Sequence, residues 1–391
     1  MSPETRSGDG SAGHAALRVA VMWLGRISSD TAGRTYMHEA LKALGQRPDL
    51  DLDVHISDEH FEVPPSCTRV LHRVPRRLGS PGRVLLEPMI TAKLRKTPYD
   101  VMLAPFGFLP LTWRGPSVVV LHNILAFGDL ARRELSPLRG LYRERAISSS
   151  LRRATIVLTV SDYLRKLVLD HFTFIDPSRV GVAHYGLSTE LLSSAPEAQT
   201  SARRKNVLVV SALWPYKRVD QAIEAFALAT AEEPDAVLRI AGPGTPTQLA
   251  ASMNIARRWH ILDRVLFLGN VPHSRLGQLY AESDAVLHLS EIESFGLPVL
   301  EAMGTGIPVL AKRIGGIPEV AGEAAIWIPP NAEAGHIAGL LRRVLSDDTF
   351  RVQHIRAGRR EAAQFSWARN AELTARALRR AVTASKQPPG T

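Results

Sequence analysis

Residues 285–303 read AVLHLSEIESFGLPVLEAM, and this stretch decides how the chain folds. Its first five residues are almost all apolar, which is typical of a short strand buried on both faces of a parallel sheet. A polar turn follows, and the apolar spacing after Gly296 indicates a helix with Pro298 in its first turn, where a missing amide proton costs nothing. The stretch therefore predicts a strand, a turn and a helix, the repeating unit of an α/β fold.

The turn in this unit has the composition of an anion site. Gly296 allows close approach to the backbone, and the first amides of a helix have no partner within it, so a phosphate fits there. Glu293 precedes the helix and Glu301 lies about one turn inside it. Because both would repel a phosphate, we interpret them as acceptors for hydroxyl groups on sugars at either end of a pyrophosphate. The alternative is that the two carboxylates only interact favourably with the helix dipole, as acidic side chains do near the start of any helix.

Buried-strand patterns recur along the chain and fall into two series. The first has strands at 17–24, 52–56, 99–104, 117–121 and 155–160, and the second at 207–210, 236–241, 265–268, 285–289 and 308–311. Helical patterns separate these strands, which predicts an α/β protein of two Rossmann-like, doubly wound domains facing each other across a cleft. Ligands bind at the carboxyl ends of such strands, so we expect the functional residues in loops that follow strands.

The length of 391 residues also favours two domains, since a domain typically has about 100–200 residues. A small, polar stretch at 193–205 is the best linker in the chain. We therefore predict five parts: a disordered N-terminus at 1–14, a first Rossmann-like domain at 15–195, a second at 196–366, a terminal helix at 367–385 and a disordered tail at 386–391.

The composition is that of a soluble globular chain. It is 45% hydrophobic and 22% charged, and no uncharged apolar run approaches the roughly 18 residues of a membrane-spanning helix. A single cysteine, Cys67, and a polar start without a signal-peptide core favour the cytoplasm.

The net charge of +10 is local, because residues 63–153 hold 16 Lys or Arg against 5 Asp or Glu. Such a surface suits anionic lipid or phosphorylated substrates, whereas the 6% aromatic content argues against nucleic acid.

A second strand, turn and helix unit carries SALWPYKRVD at residues 211–220. Lys217 lies in the loop after the strand, where an ammonium can neutralise the charge that a leaving nucleoside diphosphate gains. The alternative is an ordinary solvated lysine. Arg218 follows it directly and offers a second cation.

These segments together resemble the retaining nucleotide-sugar glycosyltransferases of GT-B architecture, family 4. The resemblance rests on the Glu-x7-Glu spacing of Glu293 and Glu301 within S-E-x-E-S-F-G-L-P-V-L-E-A-M, and continues through 304–309 and 315–320. It runs from residue 207 to residue 330 and more weakly through the first half. It implies metal-independent transfer of a sugar from a nucleoside diphosphate donor to an acceptor hydroxyl with retention, with no cofactor besides the donor, and a terminal helix that packs back on the first domain.

The resemblance also implies a donor site on the second domain and an acceptor site on the first. Glu301 would hold the ribose hydroxyls, Glu293 would contact the donor sugar near the transferring carbon, and the amides of residues 295–297 would hold the pyrophosphate. The family usually has an arginine where this chain has Ala212, so Arg218 is expected to substitute for it. The full donor-binding set that the resemblance implies is Gly33, Lys217, Arg218, Val271, Glu293, Phe295, Gly296, Leu297 and Glu301.

In the first half, VVVLHN at 118–123 resembles a family segment whose histidine lies near the donor sugar. The resemblance implies a catalytic set of His122, Glu293 and Lys217; from the residues alone, His122 reads as a hydrogen-bonded structural histidine. The donor half contains no Asp-x-Asp element of the kind that metal-dependent transferases use, and the sequence shows no His/Cys ligand cluster, so we expect no metal site.

The basic window suggests where the acceptor binds. As a hypothesis, Arg132, Arg133, Arg139 and Arg143 face an anionic membrane or a lipid-linked acceptor in cell-envelope polysaccharide assembly, at the inner face of the cytoplasmic membrane. The competing acceptor is a soluble secondary-metabolite scaffold such as an aminocyclitol. An alternative from another functional class is that the chain is a non-catalytic nucleotide-sugar-binding subunit of a partner transferase.

Overall fold

The computed structural model of this protein describes residues 16–24, 32–72, 87–92, 94, 97–123, 137–193 and 205–386. Two parallel sheets, one in each half of the chain, organise these residues. This architecture confirms the predicted α/β class with two Rossmann-like layers.

The first sheet follows the strand order β3-β2-β1-β4-β5-β6-β7, with all neighbours parallel. Every residue of the three strands β4 to β6 is buried, as expected for strands covered on both faces. The edge strands β3 and β7 are missing from the sequence prediction. The strands are β1 (Leu17–Trp23), β2 (Leu50–Ile56), β3 (Thr68–Leu71), β4 (Val101–Ala104), β5 (Ser117–Leu121), β6 (Ile156–Thr159) and β7 (Val180–Val182).

The second sheet follows the order β10-β9-β8-β11-β12-β13 and is also parallel throughout. Its first five strands lie where the sequence predicts them, and the short β13 is additional. They are β8 (Val207–Val210), β9 (Leu238–Ala241), β10 (Val265–Gly269), β11 (Ala285–His288), β12 (Val309–Lys312) and β13 (Ile326–Ile328).

Helices connect the strands of both sheets. In the first half they are α1 (Ala32–Gly45), α2 (Pro137–Arg153), α3 (Asp162–His171) and α4 (Thr189–Ser193). In the second half they are α5 (Val219–Ala229), α6 (Pro246–Arg258), α7 (His273–Ala281), α8 (Leu297–Thr305), α9 (Ile317–Ala321), α10 (Ala334–Ser346), α11 (Asp348–Ala362) and α12 (Trp367–Lys386). Short 3-10 turns at Pro177–Arg179, Pro215–Lys217 and Leu262–Arg264 complete the connections.

The terminal helix α12 lies against the first sheet, not the second. It contacts α1, β4, β5 and β6. Near its start, the amide of Asn370 donates to the carbonyls of Ala183 at 3.2 Å and His184 at 2.7 Å. Further along, Arg379 pairs with Asp49. Most of the proposed linker, residues 194–204, lies outside the described residues.

Direct contacts join the two halves at one edge of the cleft. The hydroxyl of Ser161 donates to the carbonyl of Ser294 at 2.5 Å and also caps α3 through the amide of Leu164. The carboxylate of Glu319, on α9, accepts the amides of Asp162 at 2.7 Å and Tyr163 at 2.5 Å. A side chain of the second domain therefore caps a helix of the first.

Candidate active site

The N-terminus of α8 lies against the first half of the chain, where Phe295 packs on Tyr185. Gly296 adopts a left-handed conformation, with φ of 102°, and a Cβ there would lie 3.3 Å from Ile317, so glycine suits this turn. Pro298 occupies the first turn. Among the described residues, the amides of residues 295–297 have no acceptor. The three amides named by the sequence analysis are therefore available to an anion.

Glu293 and Lys217 meet directly beside these amides. The ammonium of Lys217 lies 2.8 Å from Oε2 of Glu293, and Nε2 of His288 lies 3.2 Å from the same oxygen. Burial raises the pKa of Glu293, but the nearby Lys217 ammonium and the His288 hydrogen bond outweigh burial and hold the pKa well below its usual range. Glu293 is therefore an ionised carboxylate across the pH range in which the protein would work.

Glu301 lies one turn further along α8 and is only 4% exposed. Nε2 of His273 lies 3.1 Å from its Oε1, and the hydroxyl of Tyr280 donates to its Oε2 at 2.9 Å. Val271 lies in the loop between β10 and α7, two residues before His273, and is partly buried against the core. The structure therefore gathers Val271 and Glu301 around the start of α7.

The guanidinium of Arg218 forms two ion pairs. Its guanidinium donates to both oxygens of Asp220, at 3.2 to 3.3 Å, and to Oε1 of Glu291 at 2.6 Å. Its backbone has a φ of 52°, which is unusual for a residue with a side chain. The guanidinium thereby braces the start of α5 against the loop that carries Glu293, and its expected role on phosphate stays a prediction.

His122 is buried among aromatic side chains of the first domain. Nδ1 lies 2.7 Å from the hydroxyl of Tyr185 and Nε2 lies 2.5 Å from the carbonyl of Pro105, so both ring nitrogens are engaged. Rings of Tyr36 and Phe106 pack on it, and burial lowers the pKa of His122 to about 4. In this structure it is a neutral, hydrogen-bonded histidine, as the residues alone indicate, and the catalytic role that the resemblance implies stays a prediction.

Gly33 lies in the first turn of α1, not in a loop. Beside that turn is a cavity of about 160 Å³ between the two domains. The cavity is bounded by α1, by α4 and by the start of α7, and its lining includes Arg34, His38, Glu39, Glu190 and His273.

One group of potential metal ligands is present among the described residues: Asp162, His184 and Glu319. The Glu319 oxygens already accept the amides of Asp162 and Tyr163 and lie near His184, at 3.4 Å. Burial raises the pKa of Glu319, but the hydrogen bonds from His184 and the two amides outweigh it and lower the pKa. This group joins the domains through hydrogen bonds of one carboxylate.

The expected acceptor or membrane face is only partly described. Arg132 and Arg133 lie outside the described residues, and Arg139 lies in the first turn of α2. Arg143 lies one turn later, where burial lowers the pKa of its guanidinium. The sequence analysis missed two apolar neighbours on the same helix, Leu141 and Tyr142, which are 49% and 60% exposed.

None of the described helices is long and apolar enough to cross a membrane.

Three site residues were missed by the sequence analysis: His273, Tyr280 and His288. Each lies at a strand end or on the face of a helix, and each contacts one of the two predicted glutamates. The only signal in the sequence was position, since His288 ends the strand before the Glu293 turn and His273 begins α7.

Two parallel Rossmann-like sheets, one in each half of the chain, are the architecture of the GT-B class of fold. The solved structure of Anabaena HepE in complex with UDP and glucose shares this fold, with a TM-score of 0.70 and 20% identity over 95% of this chain and 100% of that chain. Residues 195–361 match the family model of glycosyl transferases group 1. The similarity to glycosyl transferases group 1 therefore covers most of the second domain.

Two relatives match beyond the second domain. The chain is 27% identical to O-antigen chain mannosyltransferase B of Escherichia coli over 58% of this chain and 61% of the relative. It is 29% identical to D-inositol 3-phosphate glycosyltransferase of Corynebacterium glutamicum (strain R) over 66% of this chain and 65% of the relative. The chain thus spans slightly less than two thirds of the length of these two relatives.

Proposed function

We propose that this protein transfers a sugar from a nucleoside diphosphate sugar to an acceptor hydroxyl with retention of configuration. The observation that carries the proposal is the arrangement at the start of α8, where open amides lie between Glu293 and Glu301. A pyrophosphate fits the amides, and hydroxyl-bearing sugars at its two ends fit the carboxylates. The match of residues 195–361 to glycosyl transferases group 1 supports the same ligand.

Lys217 supplies the positive charge for the departing group. As the bond between sugar and phosphate breaks, the diphosphate gains negative charge, and an ammonium already held in the site stabilises it without reorganisation. Glu293, ionised beside the sugar, would stabilise the positive charge that develops at the transferring carbon. Both Lys217 and His288 engage its Oε2. We therefore favour attack on the face of the departing phosphate over a covalent intermediate on Glu293.

We further propose that neither a metal ion nor a separate cofactor takes part. The α8 amides offer the hydrogen-bond donors, and Lys217 offers the positive charge, that a diphosphate needs. Donor binding and transfer should therefore continue in the presence of EDTA.

The acceptor is proposed to be a lipid-linked or polysaccharide chain at the inner face of the cytoplasmic membrane. Exposed Leu141 and Tyr142 beside Arg143 and Arg145 on α2 combine apolar insertion with attraction to anionic lipid. The similarity to an O-antigen chain mannosyltransferase supports a glycan acceptor. No binding to anionic vesicles at low salt, or unchanged binding by the variant Leu141→Glu with Tyr142→Glu, would contradict the membrane part.

A soluble acceptor is the second candidate, and the similarity to a D-inositol 3-phosphate glycosyltransferase favours it. The third, a non-catalytic nucleotide-sugar-binding subunit, is motivated by Ala212 and predicts binding without turnover.

A transfer assay separates these functions. The protein is incubated with UDP-, GDP-, ADP- and dTDP-sugars in EDTA, with a lipid-linked acceptor extract or a cyclitol mixture, and nucleoside diphosphate release is followed. Lys217→Met should abolish release. Lys166→Met is the control, because Lys166 is 75% exposed on α3. Acceptor-dependent release that survives Lys217→Met would refute the assigned site, and donor binding without release would favour the binding subunit.

A further inference from the structure

Both oxygens of the Glu301 carboxylate are held by side chains of one neighbouring helix. His273 and Tyr280 are seven residues apart on α7, so they lie on the same face of the helix. They approach Oε1 at 3.1 Å and Oε2 at 2.9 Å respectively. Tyr280 is completely buried, and Glu301 almost completely. The orientation of this carboxylate is therefore set by two contacts.

These contacts leave the carboxylate able to bind a ligand. Each carboxylate oxygen has two lone-pair sites, so Oε1 and Oε2 can each accept one further hydrogen bond. Two hydroxyl groups on neighbouring carbons, such as those of a ribose, offer two donors with matching spacing. When the carboxylate is held in one orientation, a ligand that lacks one of the two hydroxyl groups binds more weakly, because a site built to bind a hydroxyl rejects the analogue that lacks it.

His273 also faces the first domain. It lines the cavity between the domains together with Glu39 of α1 and Glu190 of α4. Burial lowers the pKa of His273, but the hydrogen bond to Glu301 and the charges of Glu301, Glu39 and Glu190 outweigh burial and raise the pKa above 6.5. The same cavity is also lined by three further titratable or charged side chains, Arg34, His38 and Glu62.

We infer that His273 is a positioning residue that makes the site discriminate between a ribose and a 2′-deoxyribose, because it fixes the Glu301 carboxylate. The inference rests on the proposed function, in which Glu301 receives the ribose hydroxyls. The protonated imidazole pairs with Glu301 most strongly. The contribution of this pairing to the orientation of Glu301 is complete below the ordinary histidine pKa. It is lost as pH rises through the raised pKa of His273 in the folded protein.

The test measures the ratio of dissociation constants for 2′-deoxy and ribo forms of UDP and GDP by calorimetry, at pH about 6 and about 9. The wild type should prefer the ribonucleotide by about tenfold at the lower pH, which corresponds to about 1.4 kcal/mol, and by less at the higher pH. His273→Ala should bring the ratio close to one. His273→Gln retains a donor without a titrating charge and should restore part of the ratio, without dependence on pH. His336→Ala is the control, because His336 is exposed on α10.

The outcomes separate the inference from the proposed function. If Glu301→Gln removes the preference but His273→Ala retains it, the inference is overturned and the proposed function stands. If Glu301→Gln also retains it, or the wild type binds none of UDP, GDP, ADP and dTDP, the proposed function fails together with the inference. Binding of dTDP alone would overturn only the inference. Should His273→Ala fail to fold, a full and pH-independent preference in the wild type would by itself overturn the inference.

Discussion

Removing the ammonium of Lys217 should destabilise the second domain far more than removing a surface lysine. The side chains of Lys217 and Glu293 are each only 16% exposed and lie 2.8 Å apart. Breaking a buried ion pair from one side costs about 3–5 kcal/mol, because it leaves an uncompensated charge. His288 remains 3.2 Å from the Glu293 carboxylate after Lys217 is replaced. We therefore expect Lys217→Met to lower the free energy of unfolding by the lower end of this range, about 3 kcal/mol.

Calorimetry of the second domain's unfolding transition measures this cost. A change of 1 kcal/mol shifts Tm by about 2–4 °C in a domain of 150–250 residues, so Lys217→Met should lower Tm by roughly 6–12 °C. Adding Glu293→Gln removes the stranded charge and should restore most of the stability, without restoring transfer. Lys166→Met should change little, because exposed pairs contribute about 1 kcal/mol at most. An equal loss in the two lysine variants, or no recovery in the double variant, would refute the reasoning.

Further predictions concern the contacts between domains and the turn at the site. Glu319→Gln removes the charge that caps α3, and should move the calorimetric unfolding transitions of the two domains further apart. In the wild type the stabilising contribution of the Glu319 carboxylate is present above the ordinary glutamate pKa of 4.5 and is lost as pH falls through the lowered pKa of Glu319. Gly315→Ala should cost about 1–3 kcal/mol and weaken nucleotide binding, since its φ is +59° and its Cβ would lie 2.1 Å from the carbonyl oxygen of Glu293. Gly335→Ala, within α10 and with open space around it, should instead stabilise by about 0.5–1 kcal/mol in chemical denaturation.

The central part of each sheet was predictable because its signals are local. Each inner strand is a short apolar run, and the unit around Gly296 and Pro298 carries its own turn chemistry. The edge strands were not predictable in this way. β3 is mostly exposed, while β7 and β13 have three residues each, so their pairing depends on the strand beside them.

The site was predictable only where one segment carries it. Glu293, Glu301 and the α8 amides belong to a single strand, turn and helix. The contacts of Arg218 were not predictable, because its partner Glu291 lies 73 residues away in the chain. The partners of His122 were not predictable either, since Tyr185 and Pro105 come from other parts of the chain.

The central claim is that the second domain holds a nucleoside diphosphate sugar through Glu301. The most direct measurement is a thermal-shift panel of UDP-, GDP-, ADP- and dTDP-sugars in EDTA, on the wild type and on Glu301→Ala. A ligand that binds only the folded state raises Tm, so one nucleotide class should raise the wild-type Tm and leave that of Glu301→Ala unchanged. No shift with any nucleotide, or an equal shift in the variant, would contradict the claim.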